Sequence, residues 1–408
     1  MPEPKKRRYG FWFFLGLLVL LEAAALLAVQ FQKISDIYVS EIVPRLSTAI
    51  GGFISMFPTA VCELCVAAGI CFGLILLIML VLLIFLRRHE KYRKVTLCGV
   101  RIALVIAVLA VGGELRYNTA RRTSTPVWEP QTHEFDELTA MWNYTITQIN
   151  TLSTRADRDE NYHLIRRSDD EIRDAINASR QKLSAQFPRF ALSEPPVPKT
   201  SVFSAVVTKF GDSAYYIEPW HETVFTIKTQ NRSYYPSAYA HEYSHYSGYY
   251  REDEANLFGL LLCTESDDLN IQYAAWLDIM NRLWNAVEKE YFGTDNPTQE
   301  QLDDPAYQEY CAATVDYDIG LIYGDRSGNY AMFHQARGEE NVVDERRPEP
   351  QLPETAAKIV QKQGERHFTN LKKELGAHYY DGVVQLMLDY YADQLEPFKP
   401  DNLKSEKG

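Results

Sequence analysis

Apolar residues fall in two regimes along this chain. Up to residue 114 they come in long unbroken runs; beyond it they recur at helical spacing or alternate with polar positions. Three runs, residues 11–29, 59–86 and 95–113, are long enough to cross a bilayer as helices. The first carries Glu22, which either faces a neighbouring helix or snorkels. A signal peptide, with Ala23-Ala24-Ala25 as its small residues, is the alternative to a retained helix there.

Residues 115–132 read as a stalk, rich in Ser, Thr and Pro from Arg121 to Gln131. Residues 133–155 and 169–187 then show helical spacing, with Leu138, Met141, Trp142, Ile146 and Ile149 on one core-facing stripe. After the break at Pro195, Pro196 and Pro198, residues 201–208 and 224–229 favour β-branched types and predict strands. Further helices are expected over 257–263, 267–292, 306–323, 353–375 and 381–395. Between them, 324–352 reads as a polar lid or linker, and 397–408 as a loose charged tail. The expected fold is three N-terminal transmembrane helices over residues 1–114, then an α+β, mainly helical domain with a small sheet over 133–396.

Charge sharpens the division. Residues 1–114 hold 12 Lys/Arg against 7 Asp/Glu, a formal +5, so the remainder carries −17 of the whole-chain −12. The basic clusters Lys5 to Arg8 and Arg87 to Lys94 belong on the cytoplasmic side, which places the chain after the third helix outside the cell membrane. An acidic outer domain argues against nucleic acid and anionic lipid headgroups as its partners, and a solvated surface accounts for the charge equally well; the bilayer itself is the partner of the first 114 residues. Cys62, Cys65, Cys71 and Cys98 fall within apolar runs, where they act as small apolar residues. Cys263 and Cys311 lie outside those runs and are the one candidate pair.

The candidate chemistry is concentrated between Tyr239 and Asn256. His241-Glu242-Tyr243-Ser244-His245 reads H-E-x-x-H, which on a helix presents two imidazoles to one metal ion with a general base beside them. Asn231, Ser233 and Pro236-Ser237 supply helix-start chemistry, and Gly248 is a natural stop. Arg251 to Asn256 then opens a second helix, on which Glu252 and Asn256 share a face. A carboxylate arriving there completes a His-His-Glu set for one Zn²⁺ per chain, with a position left for water. Glu254 is the alternative ligand. Val224, Phe225, Thr226 and Ile227 are candidates for an edge strand that takes substrate as an added strand. His221 and Glu222 either reach the cleft or lie on the surface.

This stretch resembles the gluzincin metallopeptidases, especially the membrane-bound group of HtpX and the CAAX prenyl proteases. Arg251-Glu252-Asp253-Glu254-Ala255-Asn256 matches that group's R-E-x-x-A-D except for its last residue. The resemblance implies a zincin-like fold, Glu252 as third ligand, Asn256 as its outer support, and Glu242 as catalytic base. The spacing departs from the group, since only six residues separate His245 from Glu252. It approaches the metzincin spacing, but Arg251 stands where the third histidine would be. At the level of the whole chain, the sequence is similar to a bacterial family of unknown function, domain number 3810. His367, His378, Tyr379 and Tyr380 are candidates to stabilise an oxyanion. The expected activity is peptide hydrolysis on a peptide or protein substrate. A non-catalytic zinc-binding sensor or assembly factor is the reading from another class; the intact Glu242 favours chemistry.

Overall fold

The computed structural model describes residues 10–86, 89–128, 131–207, 214–294, 297–310, 319–327, 330–339 and 382–400. The chain folds into two compact units, residues 1–125 with 217–222, and residues 126–216 with 223–408.

In the first unit α1 (Gly10–Ala28), α4 (Val61–Leu86) and α5 (Glu90–Thr123) are each long and apolar enough to cross a membrane. Between them lie α2 (Gln32–Ile37), a π-helical turn (Tyr38–Ile42) and α3 (Val43–Ile54). Helix α5 packs against both α1 and α4. Glu22 of α1 pairs with Arg116 of α5, and Gly112, one turn away, leaves the space that the Glu22 side chain fills. Glu22 therefore faces a neighbouring helix. Helix α5 also runs to Thr123, through the first part of the expected stalk, because nothing helix-breaking interrupts Leu115 to Thr123.

Ile217–Glu222 belongs to this first unit, and three of its side chains make polar contacts there. Tyr38 donates to Glu218. Ser47 Oγ lies 2.7 Å from His221 Nδ1. The two Glu222 oxygens accept from the first amides of α4, Val61 at 3.0 Å and Cys62 at 2.8 Å. These are amides that the helix itself leaves without partners, and the carboxylate also suits the positive end of the helix dipole. His221 and Glu222 are thus buried inside the first unit, rather than surface residues or part of a cleft.

His221 has a left-handed backbone (φ 45°), and burial pushes its imidazole down to about 4. Folded chains refuse a proton that unfolded chains accept near pH 6.5, so stability falls as pH drops through that window. The expected loss from this group alone is roughly 2 kcal/mol between pH 7.5 and pH 5. Thermal melts of the full-length protein at both values test this beside His221→Asn, which tolerates the same backbone and does not titrate. Equal acid sensitivity in the variant would exclude His221 as the source.

The second unit begins with α6 (Phe135–Ser153) and α7 (Asp169–Leu183). A capping box between Ser168 and Glu171 starts α7. The predicted stripe on α6 is buried throughout and packs on α12 (Leu269–Phe292), with Trp142 edge-on to Trp284 at 5.4 Å. A three-stranded sheet follows in the order β1 (Lys199–Thr200), β3 (Glu222–Phe225), β2 (Ala214–Ile217). Strand β1 runs parallel to β3, Lys199 opposite Val224 and Thr200 opposite Phe225.

Both strand expectations are corrected here. Ser201 Oγ accepts from the Phe203 amide, and the chain then turns into α8 (Ser204–Val207) instead of a strand. Thr226 caps α9 (Ile227–Gln230) through the Thr229 amide, so the second run is strand only to Phe225. Strand β3 is central and buried, flanked on both sides, so Val224, Phe225, Thr226 and Ile227 offer no edge to a substrate.

The helices α10 (Tyr235–Tyr246) and α11 (Glu252–Thr264) lie next in the chain, and α13 (Gln299–Leu302), α14 (Pro305–Tyr310), α15 (Ile319–Ser327), α16 (Ala331–Ala336) and α17 (Gly382–Leu395) come after α12. One further expectation changes. The helix expected over 306–323 is helical at both of its described ends, α14 and α15, and its middle lies outside the described residues; the polar loop expected from Gly324 contains the end of α15 and all of α16. The expected helix 353–375 lies outside the described residues, as does Cys311. Cys263 is a free, fully buried thiol of α11.

Candidate metal centre

Helix α10 separates two chemistries by periodicity. At about 100° per residue, Tyr239, Tyr243 and Tyr246 fall on one face, His241 and His245 on the other, and Glu242 at the boundary between them. The tyrosine face is buried. Tyr239 donates to the Pro196 carbonyl at 2.7 Å, Tyr243 to the Ser193 carbonyl at 3.1 Å, and Phe190 stacks on Tyr243. Burial raises the Tyr243 phenol to about 12, so it stays neutral and serves as an anchor. Pro236 sits in the first turn, but the cap residue is Tyr234, with no side-chain bond to the helix amides. Asn231 instead ends α9, and Ser233 donates to the Arg326 carbonyl, so neither supplies the expected cap.

The end of α10 explains how six residues suffice between His245 and Glu252. Ser247 closes the helix, Gly248 adopts φ 88°, and the Tyr249 amide donates back to the Ser244 carbonyl at 3.0 Å. That reversal is glycine-dependent, and it leads directly into the first turn of α11. It also brings the Tyr249 carbonyl to 2.8 Å from His245 Nδ1. With Nδ1–H donated there, the Nε2 lone pair is left for a ligand.

His241 Nε2 lies 3.4 Å from Glu252 Oε2, and His245 Nε2 lies 3.6 Å from Glu252 Oε1. The three ligand atoms all lie within 4.8 Å of one another. Bonds of about 2.0–2.1 Å to a tetrahedral zinc put ligand atoms roughly 3.3 Å apart, so the spacing fits that ion. The donor set of two imidazoles and one carboxylate also suits it. Burial works against ionising Glu252, but the His245 charge and hydrogen bonds from both imidazoles hold its carboxyl well below the usual range. Burial likewise opposes a charged His245, and Glu252 reverses this. The group is built for positive charge. Glu242 is buried beside it, close enough to raise the proton affinity of His245.

Other candidates fall elsewhere. Glu254 turns its carboxylate to the Val127 amide at 2.6 Å and stands apart from the three ligand atoms. Its burial raises it to about 7. Asn256 is buried one turn beyond Glu252 on α11. His367, His378, Tyr379 and Tyr380 lie outside the described residues.

One positioning residue was missed. A Cβ on Gly259 would stand 2.8 Å from the His241 amide nitrogen and 3.1 Å from the Ser237 carbonyl. Gly259 thus lets α11 lie against the α10 backbone at Ser237 and His241. The only signal in the sequence is a glycine inside the apolar run Leu257-Phe258-Gly259-Leu260. Gly259→Ala is expected to cost about 1–3 kcal/mol through overpacking and to weaken zinc binding by separating the ligands. Melting and zinc dialysis of the variant check both; unchanged values would show that the two backbones are not locked together.

Residues 38–313 match the family described as Protein of unknown function (DUF3810). The chain belongs to this family. The matched span includes α4, α5, the sheet, the α10–α11 pair with its His241, His245 and Glu252, and α12. No curated protein matches the chain, and no solved structure does.

Proposed function

We propose that this chain is a membrane-anchored zinc metallopeptidase. The observation that carries the reading is the convergence of His241, His245 and Glu252, with His245 held in the ligating tautomer by the Tyr249 carbonyl and Glu242 buried alongside. By this reading His241, His245 and Glu252 hold one Zn²⁺, and Asn256 supports Glu252 from the outer side. The domain is of zincin type. When bound, zinc supplies a Lewis acid and lowers the pKa of a coordinated water to about 7. Glu242 takes the proton from the attacking water as its oxygen bonds to the peptide carbonyl carbon. It returns that proton to the nitrogen as the carbon–nitrogen bond breaks. The basic clusters flanking the apolar helices favour a cytoplasmic N-terminus and an extracytoplasmic second unit in the cell membrane. Peptide or protein chains on that side are the substrates.

The test is zinc content and proteolysis of full-length protein in detergent, wild type beside Glu242→Gln. About one zinc per chain at this site in both, with cleavage of unfolded protein by the wild type alone, supports the reading. Zinc in both with cleavage in neither favours a non-catalytic zinc-binding sensor or assembly factor. No zinc retained by His241, His245 and Glu252 in the wild type ends the proposal.

A further inference from the structure

Away from the α10–α11 site, a second pair of imidazoles converges. His163 Nε2 and His334 Nε2 are 2.9 Å apart, with the rings at 78°. Each ring has a carboxylate at its other nitrogen: Glu339 Oε2 lies 2.7 Å from His334 Nδ1, and Asp159 Oδ2 lies 3.4 Å from His163 Nδ1. A carboxylate favours a proton on the nitrogen it faces. Both Nδ1 atoms are then donors, and both Nε2 atoms turn lone pairs toward one another. Two lone pairs at that distance repel unless a proton or a metal ion lies between them. A carboxylate behind each imidazole is also the arrangement that orients histidine ligands in metal sites.

The surrounding backbone is set to keep this geometry. Asp159 Oδ1 accepts from the amides of Asn161 and His163, both at 2.8 Å, and the bridge between Arg158 and Leu164 closes the loop. Tyr162, immediately before His163, sits at φ 64°, a left-handed backbone unusual for a large aromatic residue. The Tyr330 ring lies 4.1 Å from that of His163, and its hydroxyl donates to Asp325 at 2.7 Å. His334 is buried.

We infer that His163 and His334 form a second metal site, for a divalent ion that prefers imidazole nitrogen, such as zinc, nickel or copper, with water completing its coordination. Asp159 and Glu339 act as positioning residues. About 2.0–2.1 Å to each nitrogen in tetrahedral geometry needs the pair to open to roughly 3.3 Å, a few tenths of an ångström. This site shares no residue with the His241–His245–Glu252 group and does not depend on hydrolysis.

The experiment uses full-length protein in detergent, purified through a histidine-free tag, stripped with chelator and dialysed against Zn²⁺. The wild type is expected to bind one zinc more than either His163→Ala or His334→Gln, while His245→Ala keeps that additional zinc. His163→Ala alters a partly exposed loop and so guards against misfolding of the buried variant. Asp159→Asn is expected to weaken the same site about 10–100-fold without removing it. Zinc stoichiometry unaffected by both histidine variants would overturn the inference and leave the pair sharing a proton.

Discussion

Glu242→Gln is expected to lower peptide hydrolysis about 10²–10⁴-fold while leaving zinc bound, because it removes a general base and no ligand. The substitution is nearly isosteric. It leaves α10 packed on its tyrosine face, and the ligand atoms belong to other residues. The effect should appear in kcat more than in KM, since the proton transfer belongs to the transition state. Measuring both constants on an unfolded protein substrate, with zinc content determined on the same samples, checks it. Full activity in the variant would remove Glu242 from the chemistry, whatever the metal content.

Glu252→Ala is expected to empty the site, and Glu254→Ala is not. The two carboxylates are two residues apart, yet one closes on both imidazoles and the other on the Val127 amide. Losing a ligand should weaken zinc binding by more than the roughly 10–100-fold that loss of an outer partner costs. Glu254→Ala instead leaves the Val127 amide without its acceptor, which is expected to cost about 1 kcal/mol of stability. Zinc dialysis and thermal melting of the two variants should therefore give opposite patterns. Zinc loss in Glu254→Ala alone would reassign the third ligand.

How much of this could be read along the sequence depended on distance. His241 and His245 are one helical turn apart, and Gly248 fixes the reversal that delivers Glu252, so their grouping rests on local rules. The three apolar helices were legible for the same reason, through length and composition. Features that needed a distant partner were not. Val224 and Phe225 look like strand residues from their own chemistry, but their central place in the sheet comes from pairing with Lys199 and Thr200. Thr226 and Ser201 read as β-formers until their hydroxyls are seen serving turns. Gly259 matters only because the His241 backbone lies against it, and no periodicity within α11 announces that contact. Glu254 and Glu252 share one motif, and only the Val127 amide tells them apart.

The short segment Ile217–Glu222 has a practical consequence for dissecting the chain. A truncated protein beginning after α5 would keep this segment but lose Tyr38, Ser47 and the first amides of α4, on which Glu218, His221 and Glu222 depend. It would carry two carboxylates and an imidazole that have lost these contacts, on the stretch that leads straight into β3. Such a fragment is the wrong material for assaying this protein; one that keeps Tyr38 through Cys62 retains all four of these contacts.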